Sequence, residues 1–199
     1  MFRAKCVVRD DPDPNDPVFF EQVMRAVSEL ASLGLVLDFL SEEDVEDDAL
    51  QLTWQEKEEQ AELHLIKDRY TGATYFSMSA VKAADLRLLT ESLERHLDLM
   101  TQEELLAAAQ RDMVLEPVLL LKLAMVARRP DQDVIATLRE ALEHRLPQVR
   151  YYSAYAMGVA MWSVFVADLE VLLKCEPDKD VVEMAEKALE SCQWQASKG

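Results

Sequence analysis

The sequence predicts an α+β chain: a small N-terminal β-α-β-β unit over residues 1–80, then a helical repeat solenoid over residues 81–199. Three observations carry this. Apolar and polar residues alternate in short runs before Val81, as half-buried strands require. After Val81 the strand signals give way to helix-length apolar periodicity, broken by short proline-bearing links. Within that helical half the pattern also repeats. Val149, Ser153, Ala156 and Met157 match Val181, Ala185, Ala188 and Leu189 at an offset of 32, while Leu138 and Leu142 match Leu169 and Leu173 at 31. A worn third copy places Leu121, Ala124 and Met125 opposite Ser153, Ala156 and Met157. Helix pairs that repeat in this way bury their apolar faces by stacking on neighbours.

In the first 80 residues, Phe2 to Val8 reads as a short strand. Asp10 to Pro17, with three prolines and four aspartates, reads as a loop. Asp16 is placed to cap a helix that has Pro17 at its first position. Phe20, Val23, Met24, Val27, Leu30 and Ala31 continue that helix to a stop at Gly34. Leu35 to Leu40 forms a second short strand or the approach to an acidic loop. Leu50, Leu52 and Trp54, then Ala61, Leu63 and Leu65, alternate as strands, and Thr74 to Met78 adds another. Asp68 to Ala73 is the hairpin turn before it, with Gly72 supplying positive φ.

Helices are predicted at 83–98, 101–111, 115–127, 132–145, 148–161, 164–175 and 179–193. Thr101 with Glu104 fits a capping box. Pro130 and Pro177 fall in links, while Pro117 and Pro147 sit near helix starts.

This helical region resembles HEAT repeats between Leu105 and Cys192. The family's second helix carries a pattern close to V-R-x-x-A-A-x-A-L. Its best counterpart runs Pro147-Gln148-Val149-Arg150 through Ser153-Ala154-Tyr155-Ala156-Met157, and the next runs from Val181 to Leu189 without the arginine. The resemblance implies a solenoid whose successive second helices line a concave binding face.

Composition narrows the function. The formal charge is −17, with 18 acids against 7 bases in residues 1–80. Ten acids (Glu42, Glu43, Asp44, Glu46, Asp47, Asp48, Glu56, Glu58, Glu59 and Glu62) stand against Lys57 alone between residues 42 and 62. Such a surface repels nucleic acid and anionic membrane and steers a basic partner. No apolar run reaches the ~18 residues of a membrane span, and the first residues lack a secretory pattern. Cys6, Cys175 and Cys192 give neither a paired framework nor a CxxC zinc motif, so a cytoplasmic protein with reduced thiols is expected.

Catalytic signatures are missing. Four glycines, Gly34, Gly72, Gly158 and Gly199, leave no phosphate-binding loop. There is no GxSxG elbow or HExxH helix, and His64, His96 and His144 are scattered. Asp11-x-Asp13-x-Asn15 opens like a calcium loop, but Asp16 and Gln22 stand where its glycine and glutamate belong. No catalytic residue, metal or cofactor is expected.

A binding role remains. Tyr151, Tyr155 and Trp162 share a helical stripe beside Arg150. Stepping 32 residues back puts Leu119 and Leu123 opposite the tyrosines, and stepping forward puts Glu183 and Lys187 there. Aromatic and arginine side chains anchor interfaces, so this ladder is the expected contact surface, unless the N-terminal unit covers it. The leading expectation is a non-enzymatic module that grips a basic protein, in its sharper form an acidic inhibitor or immunity-type protein. The alternative is an adaptor or cofactor-loading accessory factor. A HEAT-like nucleic-acid enzyme requires Arg128, Arg129, Arg139, Arg145 and Arg150 to converge on one side.

Overall fold

In the computed structural model, which describes residues 1–45 and 49–197, period-two alternation builds one antiparallel sheet. Its elements in chain order are β1 (Phe2–Val8), α1 (Pro17–Ser32), β2 (Leu37–Val45), β3 (Ala49–Glu56), β4 (Ala61–Asp68), β5 (Thr74–Ala80), α2 (Ala83–His96) and β6 (Leu99–Met100). The strand order is β2-β3-β4-β5-β1-β6. Pairing aligns Leu52, Leu65, Phe76 and Cys6 in one cross-strand row, and Trp54, Leu63, Met78 and Ala4 in another. Both rows are buried, in one core with Val23, Ala26 and Leu30 of α1 and Leu89 and Leu93 of α2. The alternate residues Thr53, His64, Ser77 and Lys5 form a polar row on the other face. Burial lowers the pKa of Lys5, whose ammonium lies 5.5 Å from the Tyr75 ring centre.

Local chemistry fixes the helices of this unit. Asp16 accepts hydrogen bonds from the Val18 and Phe19 amides, and Pro17 opens α1. Gly34, at φ 91°, turns the chain out of it. The Glu29 carboxylate then clasps α1 to α2, accepting from Arg95 Nε, Ser92 Oγ and His96 Nε2. The Arg95 hydrogen bond holds its pKa below the ordinary carboxylate value.

The aspartate-rich loop is fastened by a lysine. Lys67 Nζ donates to Asp11 O at 2.6 Å, Gly72 O at 2.8 Å and Thr74 Oγ1 at 3.1 Å, which uses all three ammonium protons. The Thr74 amide donates to Asp11 Oδ1, and its hydroxyl donates to Pro12 O. These contacts hold Asp10 and Asp11 at φ 59° and 48°, in the left-handed region.

The unit is larger than the β-α-β-β reading, with six strands and two helices among the described residues, and two boundaries also differ from the sequence reading. The second strand does not stop at the acids: β2 runs on through Ser41, Glu42, Glu43 and Asp44. An edge strand needs little burial, and of β2 only Leu37 is buried. The chain also divides into two compact units at Met100, because α2 and β6 pack with the sheet.

The second unit, Thr101–Gly199, comprises α3 (Gln102–Asp112), α4 (Val118–Val126), α5 (Gln132–Leu142), α6 (Pro147–Ala160), α7 (Val166–Cys175) and α8 (Lys179–Ala196) among the described residues. Thr101 and Glu104 form the expected capping box. Helix α6 packs against α4 and α8, and each also meets its chain neighbour, α3 with α4, α5 with α6 and α7 with α8. Buried polar groups are matched across these seams: Ser153 Oγ donates to Leu138 O at 2.6 Å, and Gln110 Nε2 to Thr137 Oγ1 at 3.1 Å. At the α6–α8 seam a Cβ added to Gly158 would stand 3.0 Å from Ala188 Cα, tighter than ordinary contact, so a larger residue there requires the two helices to give way. Burial against the same seam raises the Cys192 thiol pKa to about 11.

Two stability changes follow. Lys67→Met removes the charged donor from three acceptors and is expected to lower unfolding free energy by about 2 kcal/mol. Gly158→Val drives a side chain into backbone that cannot rotate away, and a loss of at least about 2 kcal/mol is expected. Urea unfolding of each variant against the parent measures both.

Candidate protein interface

The expected contact ladder dissolves when its residues are placed. Leu119 and Leu123 are buried, as is every residue of α4 from Leu119 to Met125. Trp162 is 9% exposed and stacks on Phe165, with ring centres 5.7 Å apart. It closes the α6–α7 corner, where Met161 turns the chain at φ 56°. Glu183 and Lys187 are exposed but pair with each other at 2.7 Å along α8. Tyr151 and Tyr155 remain half-buried, edge to face with centres 6.5 Å apart.

Arg150 has a structural task. Its Nε and Nη2 reach both carboxylate oxygens of Glu176 at 2.6 Å, and its Nη1 donates to His144 O at 2.8 Å. The side chains are 13% and 2% exposed respectively. The pair straps the α5–α6 turn to the α7–α8 turn. Arg150 holds the Glu176 carboxyl below the ordinary carboxylate pKa, and Glu176 raises that of Arg150.

Beside this pair lies a groove of about 670 Å³ that also gathers Arg139, Arg145, Glu143 and Asp168. Three of the five arginines relevant to phosphate binding therefore converge. Arg139 pairs with Asp168 at 3.0 Å, Arg150 with Glu176, and Glu143 stands beside Arg145 in the lining. Three acids offset three bases, and such a lining does not attract a phosphate backbone. Arg128 and Arg129 lie exposed on the α4–α5 link, outside the lining.

The acidic segment is sorted by the sheet into two groups. Pairing of Leu37 with Glu56 and of Val45 with Ala49 puts Glu56, Glu58, Glu59 and Glu62 toward one end of β2, and Glu42, Glu43 and Asp44 toward the other. Glu46, Asp47 and Asp48 lie outside the described residues. Glu56 and Glu62 serve local structure: Glu56 accepts from the Glu58 and Gln60 amides, and Glu62 from Gln55 and Ser79. Asp44 pairs with Arg69. Among the described residues, Glu42, Glu43, Glu58 and Glu59 have no basic partner.

Between the two groups the strand exposes apolar surface that the sequence reading missed. Phe39 is 53% and Leu40 62% exposed, and Val36 and Val45 are also open. Phe39 meets the buried Trp54 ring edge to face, at 5.5 Å. Trp54 Nε1 has no hydrogen-bond partner among the described residues. The register shifts between Phe39 and Ser41, so Leu40 occupies a bulge. The available signal was a phenylalanine and a leucine continuing a strand into an acid run.

Thr53 Oγ1, His64 Nδ1 and Glu62 lie in sequence on the polar face, at 3.1 Å and 3.6 Å. The hydroxyl is also approached by Gln51, and Thr53 is buried in mid-strand. These contacts form a cross-strand polar network.

No family model, curated protein or solved structure matches the chain. This overturns the HEAT-repeat assignment. The repeated apolar spacing is a packing signature that stacked helix pairs in general require, so it does not carry a family with it.

Truncating one member of the buried ion pair tests its role. Glu176→Ala is expected to destabilise the second unit by about 3 kcal/mol at neutral pH, since it strands a largely buried guanidinium. The depressed carboxyl makes this contribution complete above the ordinary carboxylate pKa of about 4.3, and lost as pH falls through the lower folded value. The gap between parent and variant therefore narrows in acid, as urea unfolding at pH 7 and below pH 4 measures.

Proposed function

We propose that the chain is a non-enzymatic binding protein for a basic protein partner, in its sharper form an inhibitor or immunity-type protein. The carrying observation is β2, which leaves Phe39 and Leu40 exposed between two groups of acids in which Glu42, Glu43, Glu58 and Glu59 have no basic partner among the described residues. Unbalanced charge accelerates encounter and selects the sign of the partner, while exposed aromatic and aliphatic groups supply the desolvated contact that holds it. Their combination on one strand fits a protein surface better than a small-molecule site. The net charge of −17 works against nucleic acid and anionic lipid as partners.

The second unit supports this role as a scaffold. Its successive helix pairs, with α6 between α4 and α8, are read as a short solenoid. A second reading, as an adaptor or accessory factor, draws on Tyr151 and Tyr155, which remain half-exposed on α6. That reading places the contact on aromatic area and makes it insensitive to salt.

Affinity capture from lysate of the source, at low and high salt, separates the two. The expected result is a basic protein retained at low salt, released by salt, and held at least about tenfold more weakly by a Glu42/Glu43/Asp44→Lys variant. If the same protein is retained equally by that variant and lost by Tyr151/Tyr155→Ala, the acidic-surface reading is wrong.

A further inference from the structure

The mode of contact can be read from the sheet. Its two edges are unequal. β6 is a two-residue strand, whereas β2 has nine residues and so about 30 Å of edge. One side of β2 pairs with β3, and no backbone hydrogen bond from Leu37–Val45 reaches any other part of the chain among the described residues. An open edge of this length is a template for another strand. The bulge at Leu40 divides it. Beyond the bulge, Ser41, Glu42, Glu43, Asp44 and Val45 keep an unbroken register with β3 and present a regular ladder.

The charge on that ladder selects the occupant. A second copy laid along Ser41–Val45 places Glu42, Glu43 and Asp44 against the same residues of its partner, and like charges opposed across a strand pair are destabilising. An extended segment bearing lysine or arginine meets the opposite condition. Phe39 and Leu40, exposed at the start of the ladder, then offer an apolar contact to a side chain at the end of the incoming segment.

We propose that an extended basic segment of the partner adds as a further strand along Ser41–Val45, with its cations against Glu42 and Glu43, the acids of that ladder without a basic partner among the described residues. This rests on the basic-partner reading and specifies how that partner is held. Main-chain hydrogen bonds give the affinity, and the acids give the sign of the charge accepted.

Three labelled peptides of about ten residues test it on the full-length chain at low salt. One places two adjacent lysines at its centre, so that cations reach both faces of the strand, with valines flanking them. The second has the same sequence with its central backbone amides N-methylated, which preserves charge but removes the donors a strand needs. The third carries glutamate in place of lysine. The expected result is binding of the lysine peptide, with amide shifts in Ser41–Val45, at least about tenfold weaker binding of the methylated form, and no binding of the glutamate form. Equal binding of the lysine peptide and its methylated form overturns strand addition while leaving the basic-partner reading intact. Failure of the lysine peptide to bind better than the glutamate peptide overturns both.

Discussion

The sheet of the first unit is wider than the helices that cover it, and the character of the surface depends on that mismatch. Helices α1 and α2 bury a continuous apolar face contributed by β1, β3, β4 and β5, but from β2 they take in only Leu37. Every residue beyond it is free of the packing demand that sets side-chain choice elsewhere in the sheet. A strand in that position is held mainly by its ladder to β3, so it tolerates four acids and three exposed apolar residues. A soluble edge is normally protected by charge or a bulge. Here both devices are present, and the charge has one sign. That guards against self-pairing and leaves the edge open to a strand of opposite charge.

The second unit obeys a tighter rule. Its helices approach closely through small residues, with Gly158 against Ala188 and Ser153 bonded to the Leu138 carbonyl. Leu119 and Leu123 belong to a helix that is apolar all round, and Trp162 stacks on Phe165, so all three are buried. The turns are then locked by the Arg150–Glu176 pair. A buried ion pair contributes little net stability but is expensive to break on one side. Arg150 therefore reads as a residue that fixes geometry.

Helix positions were legible because 3.6-residue periodicity and caps such as Asp16 and Thr101 are local signals. The strands Ala49–Glu56, Ala61–Asp68 and Thr74–Ala80 were legible because each has one buried face. The course of β2 was not, since an edge strand carries no strict alternation, and its acids read as a loop. The ladder of Leu119, Leu123, Tyr151, Tyr155 and Trp162 failed for a different reason. A shared helical stripe establishes direction but not whether that direction meets solvent, and three of these five residues turned inward. The Arg150–Glu176 contact joins residues 26 positions apart, beyond any periodicity in the sequence. The exposed Phe39 and Leu40 depend on strand order, which pairing decides.

The most direct measurement is hydrogen–deuterium exchange of the full-length chain, alone and with any basic protein that affinity capture retains at low salt. Free protein is expected to exchange quickly at those amides of Asp38–Val45 that face away from β3, and the bound form to be protected there. Protection confined to Tyr151–Tyr155 or to the Arg139–Glu176 groove, with β2 exchanging as in the free chain, contradicts an interface built on that edge.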